Sequence, residues 1–296
     1  MAYGFQDKSG RLTGRMTMPL RLLPLLAALA FAAPPLAARA PQPAPPVAAS
    51  YADLADLADS AGAVVHVRVL KQATLEPERA ANVAPGEARL YVEAETIALL
   101  TGKAPVGGAL RYLVDVPLDA KGKAPKLKKQ EFLVFARTVP GRPGELQLVG
   151  PHAQLPWSPE LEARLRPVLA AFAAPDARPA ITGVRDALSV PGNLVGESET
   201  QFFLDTAAGE PVSLTVVRRP GMEPVWGVSW SEIVDQAARP PQRDTLEWYR
   251  LACFLPPELP AKANLARDSA SRARAAEDYR FVLDQLGDCP RLRTRE

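Results

Sequence analysis

AVVHVRVL, residues 63–70, is the stretch that decides the fold. From Val65 onward, valines alternate with His66 and Arg68. A period of two residues is typical of a β-strand with one buried face, and β-branched side chains pack well on a pleated surface. The stretch therefore predicts a strand-rich body whose core begins with these valines.

More strands and one helix surround this stretch. SYADLADLADSA, residues 50–61, precedes it and predicts a short amphipathic helix with Ser50 as its N-cap. Further strand candidates lie at 89–97, 110–116, 131–137 and 145–149. Pro-Gly, Gly-Gly and Lys-Gly pairs between them indicate turns. Five short strands within about a hundred residues favour a small barrel or sandwich.

The order of these segments resembles the OB-type barrel domains, netrin-like in pattern, of exported bacterial proteins. The resemblance depends on the Ala- and Asp-rich helix, AVVHVRV, YVEAETIALLTGKAP and FLVFAR, and covers residues 50–150. It implies a small OB-like β-barrel over 50–155, although the cysteines usual in netrin-like domains are missing. Such families include inhibitors and adhesion modules, so the fold alone fixes no role. The whole chain is also similar to uncharacterised exported proteins of Gram-negative bacteria.

The second half, residues 179–296, predicts an α+β domain. Two strands over 199–217 turn at Gly209, and a third at 225–230 completes a β-meander. A helix within 156–178 connects the two halves. We therefore expect a strand-rich α+β protein: an OB-like barrel, then a meander with a pair of C-terminal helices.

The first 40 residues predict an upstream extension plus a signal peptide. RLLPLLAALAFAAPPLAARA, residues 21–40, combines flanking arginines, a short apolar run and small residues, which is the secretory pattern. PQPAPPVAA, residues 41–49, reads as an extended Pro-rich linker. The start (Met1, Met16 or Met18) and the cleavage site (after Ala40 or Ala49) stay open.

Prolines interrupt the apolar run, and it is shorter than the roughly 20 residues that span a bilayer. No later stretch of the sequence is apolar for long enough to span either. The pattern therefore predicts a mature chain without a transmembrane anchor. We expect an exported protein, in the periplasm of a Gram-negative bacterium.

Export predicts the state of the two cysteines, because disulfides form in oxidising compartments. A helix over 244–254, with Asp244 as its N-cap, turns Cys253 inward. A second helix ends at Gly287, and Cys289 lies just beyond it. We predict a Cys253–Cys289 disulfide that joins the two helix ends and stabilises the fold by about 3–4 kcal/mol in the chain-entropy model.

A search for catalytic or metal-binding patterns finds little. His66 and His152 lack a second ligand at metal-binding spacing, and we expect both to be surface side chains. No phosphate loop or other cofactor motif is present, so no cofactor is predicted. Pairs of acids leave a carboxylate-based hydrolase as an alternative. We interpret these acids as solvent-facing strand residues: Glu93, Glu95, Asp115 and Asp119.

Two features point to binding. KGKAPKLKK concentrates five lysines in one loop, which suits an anionic surface or merely keeps an edge soluble. These are Lys121, Lys123, Lys126, Lys128 and Lys129. Trp226 and Trp230 alternate onto one face of a strand, which suits a platform for a sugar ring or peptide, or simple core packing.

The composition is that of an ordinary globular protein. A net charge of +2 and 23 % charged residues create no global field that would favour nucleic acid. We therefore predict a non-catalytic binding or interaction module of the cell envelope, whose partner is an envelope protein or a glycan. The alternatives are a periplasmic hydrolase and, by fold analogy only, an inhibitor-like module.

Overall fold

The computed structural model describes residues 49–102, 105–142, 144–231 and 238–293. The predicted signal peptide and the Pro-rich linker, except Ala49, lie outside these ranges, so the start and the cleavage site stay predictions. Within the described ranges, no helix combines the length and the apolar character needed to cross a bilayer.

The fold is α+β and rich in antiparallel strands, as predicted. The helices are α1 (Tyr51–Ser60), α2 (Pro159–Ala173), α3 (Leu246–Ala252) and α4 (Ser269–Leu286). The strands of the first sheet are β1 (Ala63–Thr74), β2 (Glu87–Gly102), β3 (Ala109–Pro117), β4 (Glu131–Thr138), β5 (Leu146–Leu148) and β6 (Gln154–Pro156). The strands of the second sheet are β7 (Ile181–Pro191), β8 (Ser198–Thr206), β9 (Val212–Arg218) and β10 (Val225–Ser229).

The first sheet has the order β3-β2-β1-β4-β5, and β6 pairs with β4. The valines of β1 alternate as predicted, because Val65, Val67 and Val69 are buried on its inner side. The prediction that His66 is a surface residue is wrong, since it is only 5 % exposed. The opposite side of β1 is also covered, and Trp157 stacks on the His66 ring with centroids 4.6 Å apart.

The two ends of this strand order meet at one backbone contact. Three register shifts interrupt the pairing of β1 with β2, and such bulges increase the local twist. Arg111 of β3 forms a parallel bridge with Glu145, next to β5. Its backbone N–H donates to the carbonyl oxygen of Gly144 at 2.8 Å. In the described part of the chain this contact is an isolated bridge and not a continuous ladder.

The second sheet has the order β10-β9-β8-β7, a meander in which each strand pairs with its neighbour in the chain. The three strands predicted around Gly209 and at 225–230 are confirmed, and β7 is an additional edge strand. Val212, Leu214 and Val216 of β9 are buried on the side that packs against the helices.

The helix ends follow the predicted capping residues with one exception. Ser50 caps α1, and its hydroxyl oxygen accepts the backbone N–H of Asp53 at 3.0 Å. Gly287 caps α4 with a φ of 67°. The prediction of Asp244 as the α3 cap is wrong, because its φ of 58° is left-handed whereas an N-cap residue is extended. Thr245 takes that role, accepting the N–H three residues on at 3.2 Å.

Two of the three carboxylates of α1, those of Asp53 and Asp56, are buried. Asp53 is 4 % exposed and accepts the backbone N–H of Leu292 at 3.0 Å. Asp56 accepts the Tyr249 hydroxyl at 2.7 Å and the Arg291 Nε at 2.7 Å. The first helix of the body thereby binds the last described residues of the chain.

The predicted disulfide is confirmed. Cys253 follows α3, Cys289 follows α4, and their Sγ atoms are bonded with the Cα atoms 5.3 Å apart. The bridge joins the C-terminal ends of the two helices, as the sequence indicates.

One large hydrophobic core connects the two sheets. It includes Val64 and Phe135 of the first sheet, Phe202 of the second sheet and Tyr279 of α4, each at most 1 % exposed. All described residues belong to the compact unit Pro45–Glu296. The division into domains at 50–155, 156–178 and 179–296 stays a prediction.

Candidate ligand-binding cleft

A cleft of about 1300 Å³ opens on the outer side of the first sheet. The β1–β2 loop, the outer side of β3 and the β4–β5 loop line it. Tyr91 of β2 and Leu113 of β3 contribute to its lining, each placed between two buried neighbours in its own strand. The alternation that buries the core of the first sheet therefore turns these two side chains outward.

Tyr91 and Leu113 form an apolar strip in this cleft, which we call the Tyr91–Leu113 strip. They lie directly opposite each other in the register of β2 and β3. Leu113 is 44 % exposed, and Tyr91 is half-buried. A ring beside an aliphatic side chain on a strand pair offers a surface that the face of a sugar ring can cover.

Arg89 lies in the cleft but is bound to the protein itself. Its Nε and Nη2 donate to the two carboxylate oxygens of Asp115, each at 2.7 Å. Its Nη1 donates to the carbonyl oxygen of Ala81 at 3.0 Å, which ties the β1–β2 loop to the floor. The hydrogen bonds to Asp115 raise the pKa of Arg89. This pair therefore holds the wall of the cleft in place.

The other three arginines of the cleft are exposed. Arg142 forms an ion pair with Glu145 at 3.3 Å on the β4–β5 loop. Arg79, in a short 3₁₀ turn after β1, and Arg111, on β3, form no ion pair within the described ranges. Their guanidinium groups are thus available to an anionic ligand, which they would bind through paired N–H donors.

The charges of the cleft add up to a small positive excess. Four arginines face three acids, so the lining carries 4 − 3 = +1. The acids are Glu76, Asp115 and Glu145. Because Asp115 and Glu145 are already paired, the charge offered to a ligand comes mainly from Arg79 and Arg111.

The five predicted lysines lie elsewhere. Lys121, Lys123, Lys126, Lys128 and Lys129 are all exposed on the loop between β3 and β4, and none of them lines the cleft. The anionic-surface hypothesis for this loop stays a prediction.

The two predicted tryptophans do not share an exposed face. Trp226 is 6 % exposed and belongs to the large core. Trp230 packs against the same core and is partly buried, with the guanidinium of Arg178 5.5 Å from its ring centroid. A platform that uses both rings would require Trp226 to leave the core, so Trp230 is the ring in a position to contact a ligand.

The carboxylates considered for a hydrolase each have a partner. Glu93 pairs with Lys71 at 3.2 Å, and Glu95 pairs with Arg68 at 2.9 Å. The interpretation of Asp115 as a solvent-facing residue is wrong, because it is 4 % exposed and paired with Arg89. Asp119 accepts two backbone N–H groups of its own loop, each at 2.8 Å. His152, by contrast with His66, is exposed as predicted.

The cleft residues Arg79, Arg111 and Arg142 were not identified by sequence reasoning. A signal exists for Arg111, because the alternation in LRYLVDV turns it to the same side as Asp115. No local pattern shows that Arg79 and Arg142, on two different loops, come to one cleft.

No protein-family model matches the chain, and no curated protein matches it. In the described part of the chain, no group of three or more His, Cys, Asp or Glu side chains is placed to hold a metal ion.

Proposed function

We propose that the chain is a non-catalytic binding module of the cell envelope. We further propose that its first sheet is an OB-like barrel and that the cleft over β2 and β3 binds an anionic glycan. The strand pairing supports this fold, because β1 lies between β2 and β4, and β3 reaches β5 through a parallel bridge. OB-type barrels are partly open and bind oligosaccharides or oligonucleotides across strands 2 and 3, between the 1–2 and 4–5 loops. The cleft occupies the equivalent position.

One observation supports an anionic glycan over a neutral one. The Tyr91–Leu113 strip lies in the same cleft as Arg79 and Arg111, the two arginines of the cleft that form no ion pair with another described residue. A sugar ring can cover the strip while a carboxylate or phosphate on the polymer accepts hydrogen bonds from a guanidinium. A neutral glycan would leave the guanidinium groups of Arg79 and Arg111 without an anionic partner.

A glycan fits this cleft better than a nucleic acid does. Single-stranded nucleic acids bind by stacking successive bases on several aromatic side chains. Of the aromatic side chains in the cleft, only Tyr91 faces outward, because Tyr112 is 2 % exposed and donates its hydroxyl to Gln154. The net charge of +2 adds no general attraction for a polyanion.

The proposed location is the periplasm. The Cys253–Cys289 disulfide supports an oxidising compartment, and the sequence of residues 21–40 supports export.

Calorimetric titration with oligogalacturonate, which bears a carboxylate on each sugar, tests the proposal. We expect measurable binding that is lost with the methyl-esterified oligomer. Arg79→Ala and Arg111→Ala should each weaken binding about tenfold or more, since a hydrogen bond to a charged group contributes about 1.5–3 kcal/mol. Tyr91→Ala should weaken it by about tenfold through loss of stacking.

Arg280→Ala on α4 is the matched control, because this exposed arginine lies outside the cleft. It should bind like the wild type. Equal affinity for the acid and its ester, or wild-type affinity in the Arg79→Ala/Arg111→Ala double variant, would refute the assignment. Tighter binding of single-stranded DNA through the same residues would keep the site and replace the ligand class.

A further inference from the structure

The loop of residues 118–130 between β3 and β4, which we call the lysine loop, carries a dense positive charge. Its five lysines are exposed, and none forms an ion pair with another described residue. Its one acid is Asp119, so the loop carries 5 − 1 = +4. The whole chain carries +2, which leaves 2 − 4 = −2 for all other residues. The loop therefore carries more net positive charge than the chain as a whole.

Hydrogen bonds and one buried side chain hold the backbone of the lysine loop against the first sheet. Leu127 is 5 % exposed and belongs to the core of the first sheet. The side-chain amide of Gln72 on β1 donates to the carbonyl oxygen of Pro125 at 2.8 Å and accepts the N–H of Leu127. Gln130 donates to the carbonyl oxygen of Lys126 at 2.7 Å. A partner that binds here orders only lysine side chains and not the loop itself, which lowers the entropic cost of binding.

Lys129 adds a second indication. Its φ of 69° is left-handed, a conformation that favours glycine or asparagine and disfavours longer side chains. Its backbone N–H donates to the carbonyl oxygen of Val69 at 2.8 Å, which holds the residue in this conformation. Lysine at this position adds strain and forms no ion pair with another described residue. A contact between the Lys129 side chain and another molecule would account for a lysine at this strained position.

The composition of the lysine loop indicates the kind of partner. It contains no arginine and no aromatic residue, so it offers neither paired guanidinium donors nor a stacking surface. Its lysines do not line the cleft over β2 and β3, nor the smaller pockets beside Trp230, Glu197 and Leu54. The lysine ammonium groups are exposed and strongly hydrated. They therefore suit a flat surface with many negative charges better than a small ligand in a pocket.

We propose that the lysine loop holds the protein on the surface of an anionic phospholipid bilayer. This attachment is separate from the glycan cleft and does not depend on it. Each lysine near such a surface increases the partition coefficient about fivefold, which corresponds to about 1 kcal/mol. The attraction falls off within a Debye length, about 8 Å at physiological ionic strength, so it weakens in high salt.

Vesicle co-sedimentation of the exported form tests this proposal. We expect binding to vesicles of phosphatidylglycerol with phosphatidylcholine, none to pure phosphatidylcholine, and release of the bound protein in high salt. The variant Lys121→Gln/Lys123→Gln/Lys126→Gln/Lys128→Gln should reduce the partition coefficient several hundredfold. It leaves Lys129 in place, so the strained turn is unchanged, and its thermal unfolding should match that of the wild type.

The matched control removes four exposed positive charges elsewhere: Arg219→Gln/Lys262→Gln/Arg267→Gln/Arg280→Gln. It should lower the partition coefficient by less than about tenfold, because these residues lie outside the loop. An equal loss in both quadruple variants would mean that only net charge matters and would overturn the proposal. So would equal binding to neutral vesicles, or binding to a soluble polyanion such as DNA without any binding to anionic vesicles.

Discussion

His66 contacts side chains from two other parts of the chain, Glu131 and Trp157. Its Nε2 lies 2.9 Å from a carboxylate oxygen of Glu131 on β4, and its ring is stacked nearly parallel on Trp157. The indole N–H of Trp157 in turn donates to Glu162 of α2 at 2.6 Å. A single imidazole therefore joins β1, β4 and the beginning of α2.

Removing this ring should destabilise the fold. For His66→Ala we expect a loss of about 2–4 kcal/mol in the free energy of unfolding, from a buried cavity plus a lost hydrogen bond. His66→Phe should lose less, about 1–2 kcal/mol, because stacking survives and Glu131 keeps its bond to Arg68. Urea titration measures both. The control His152→Ala, at an exposed position, should stay within about 0.5 kcal/mol of the wild type.

Residue roles could be predicted from the sequence where alternation alone decides them. The inward valines of β1 follow from a period of two, and the same reasoning would have turned Arg111 and Leu113 outward. The burial of His66 could not be predicted that way. It depends on Trp157, which reaches the ring from 91 positions further along the chain.

Helices and strands, too, could be predicted where the signal is local and not where it depends on distant residues. Ser50 and Gly287 could be recognised as caps because capping chemistry is local. The strand β7 escaped recognition because two register shifts interrupt it. Its buried apolar residues, Ile181, Val184 and Ala187, are therefore three apart and show no period of two. A bulge is set by the neighbouring strand, so it leaves no clear mark on the sequence.

The chain of contacts that connects Glu131 through His66 and Trp157 to Glu162 should be sensitive to acid. A hydrogen bond from Arg68 lowers the pKa of Glu131, and one from the Trp157 indole lowers the pKa of Glu162, both from a usual value of 4.5. Since the unfolded chain takes up these protons at the higher pH, their stabilising effect is complete above about pH 4.5. It is lost as the pH falls through the lower values of the folded protein.

Urea midpoints between pH 7 and pH 3 measure this effect. We expect Glu131→Gln to make the midpoint less dependent on pH in the acid range, because one of the two shifted groups is gone. Glu258→Gln, at an exposed position, should follow the wild-type curve. The explanation fails if Glu131→Gln and the wild type lose stability with the same steepness.

At the scale of the whole molecule, the two sheets depend on a common core. Val64, Leu133 and Phe135 of the first sheet point into the same cluster as Phe202 and the helices, and all are buried. The sequence pattern shows which side chains are apolar but not that one strand serves two cores. This common core therefore includes residues on both sides of the predicted boundary near residue 155.

A fragment of residues 49–157 should therefore fail to fold by itself. It would expose the outer apolar side chains of β1 and β4 without α2, α4 or the second sheet to cover them. We expect aggregation or non-cooperative thermal unfolding, measured by circular dichroism, against one cooperative transition for residues 49–296. A fragment with a sharp transition and dispersed amide NMR signals would show that the predicted OB-like domain is independent after all.

The buried carboxylates of α1 have a consequence for how the chain is made. Asp53 and Asp56 bind Leu292 and Arg291, which follow 239 and 235 positions later. Until those residues have left the ribosome, the first helix lacks these partners, and its carboxylates stay hydrated. At typical synthesis rates the delay is on the order of ten to fifty seconds. The contacts of α1 with residues 291 and 292 therefore form only after this delay, so the last bonds of the first helix depend on the pace of translation.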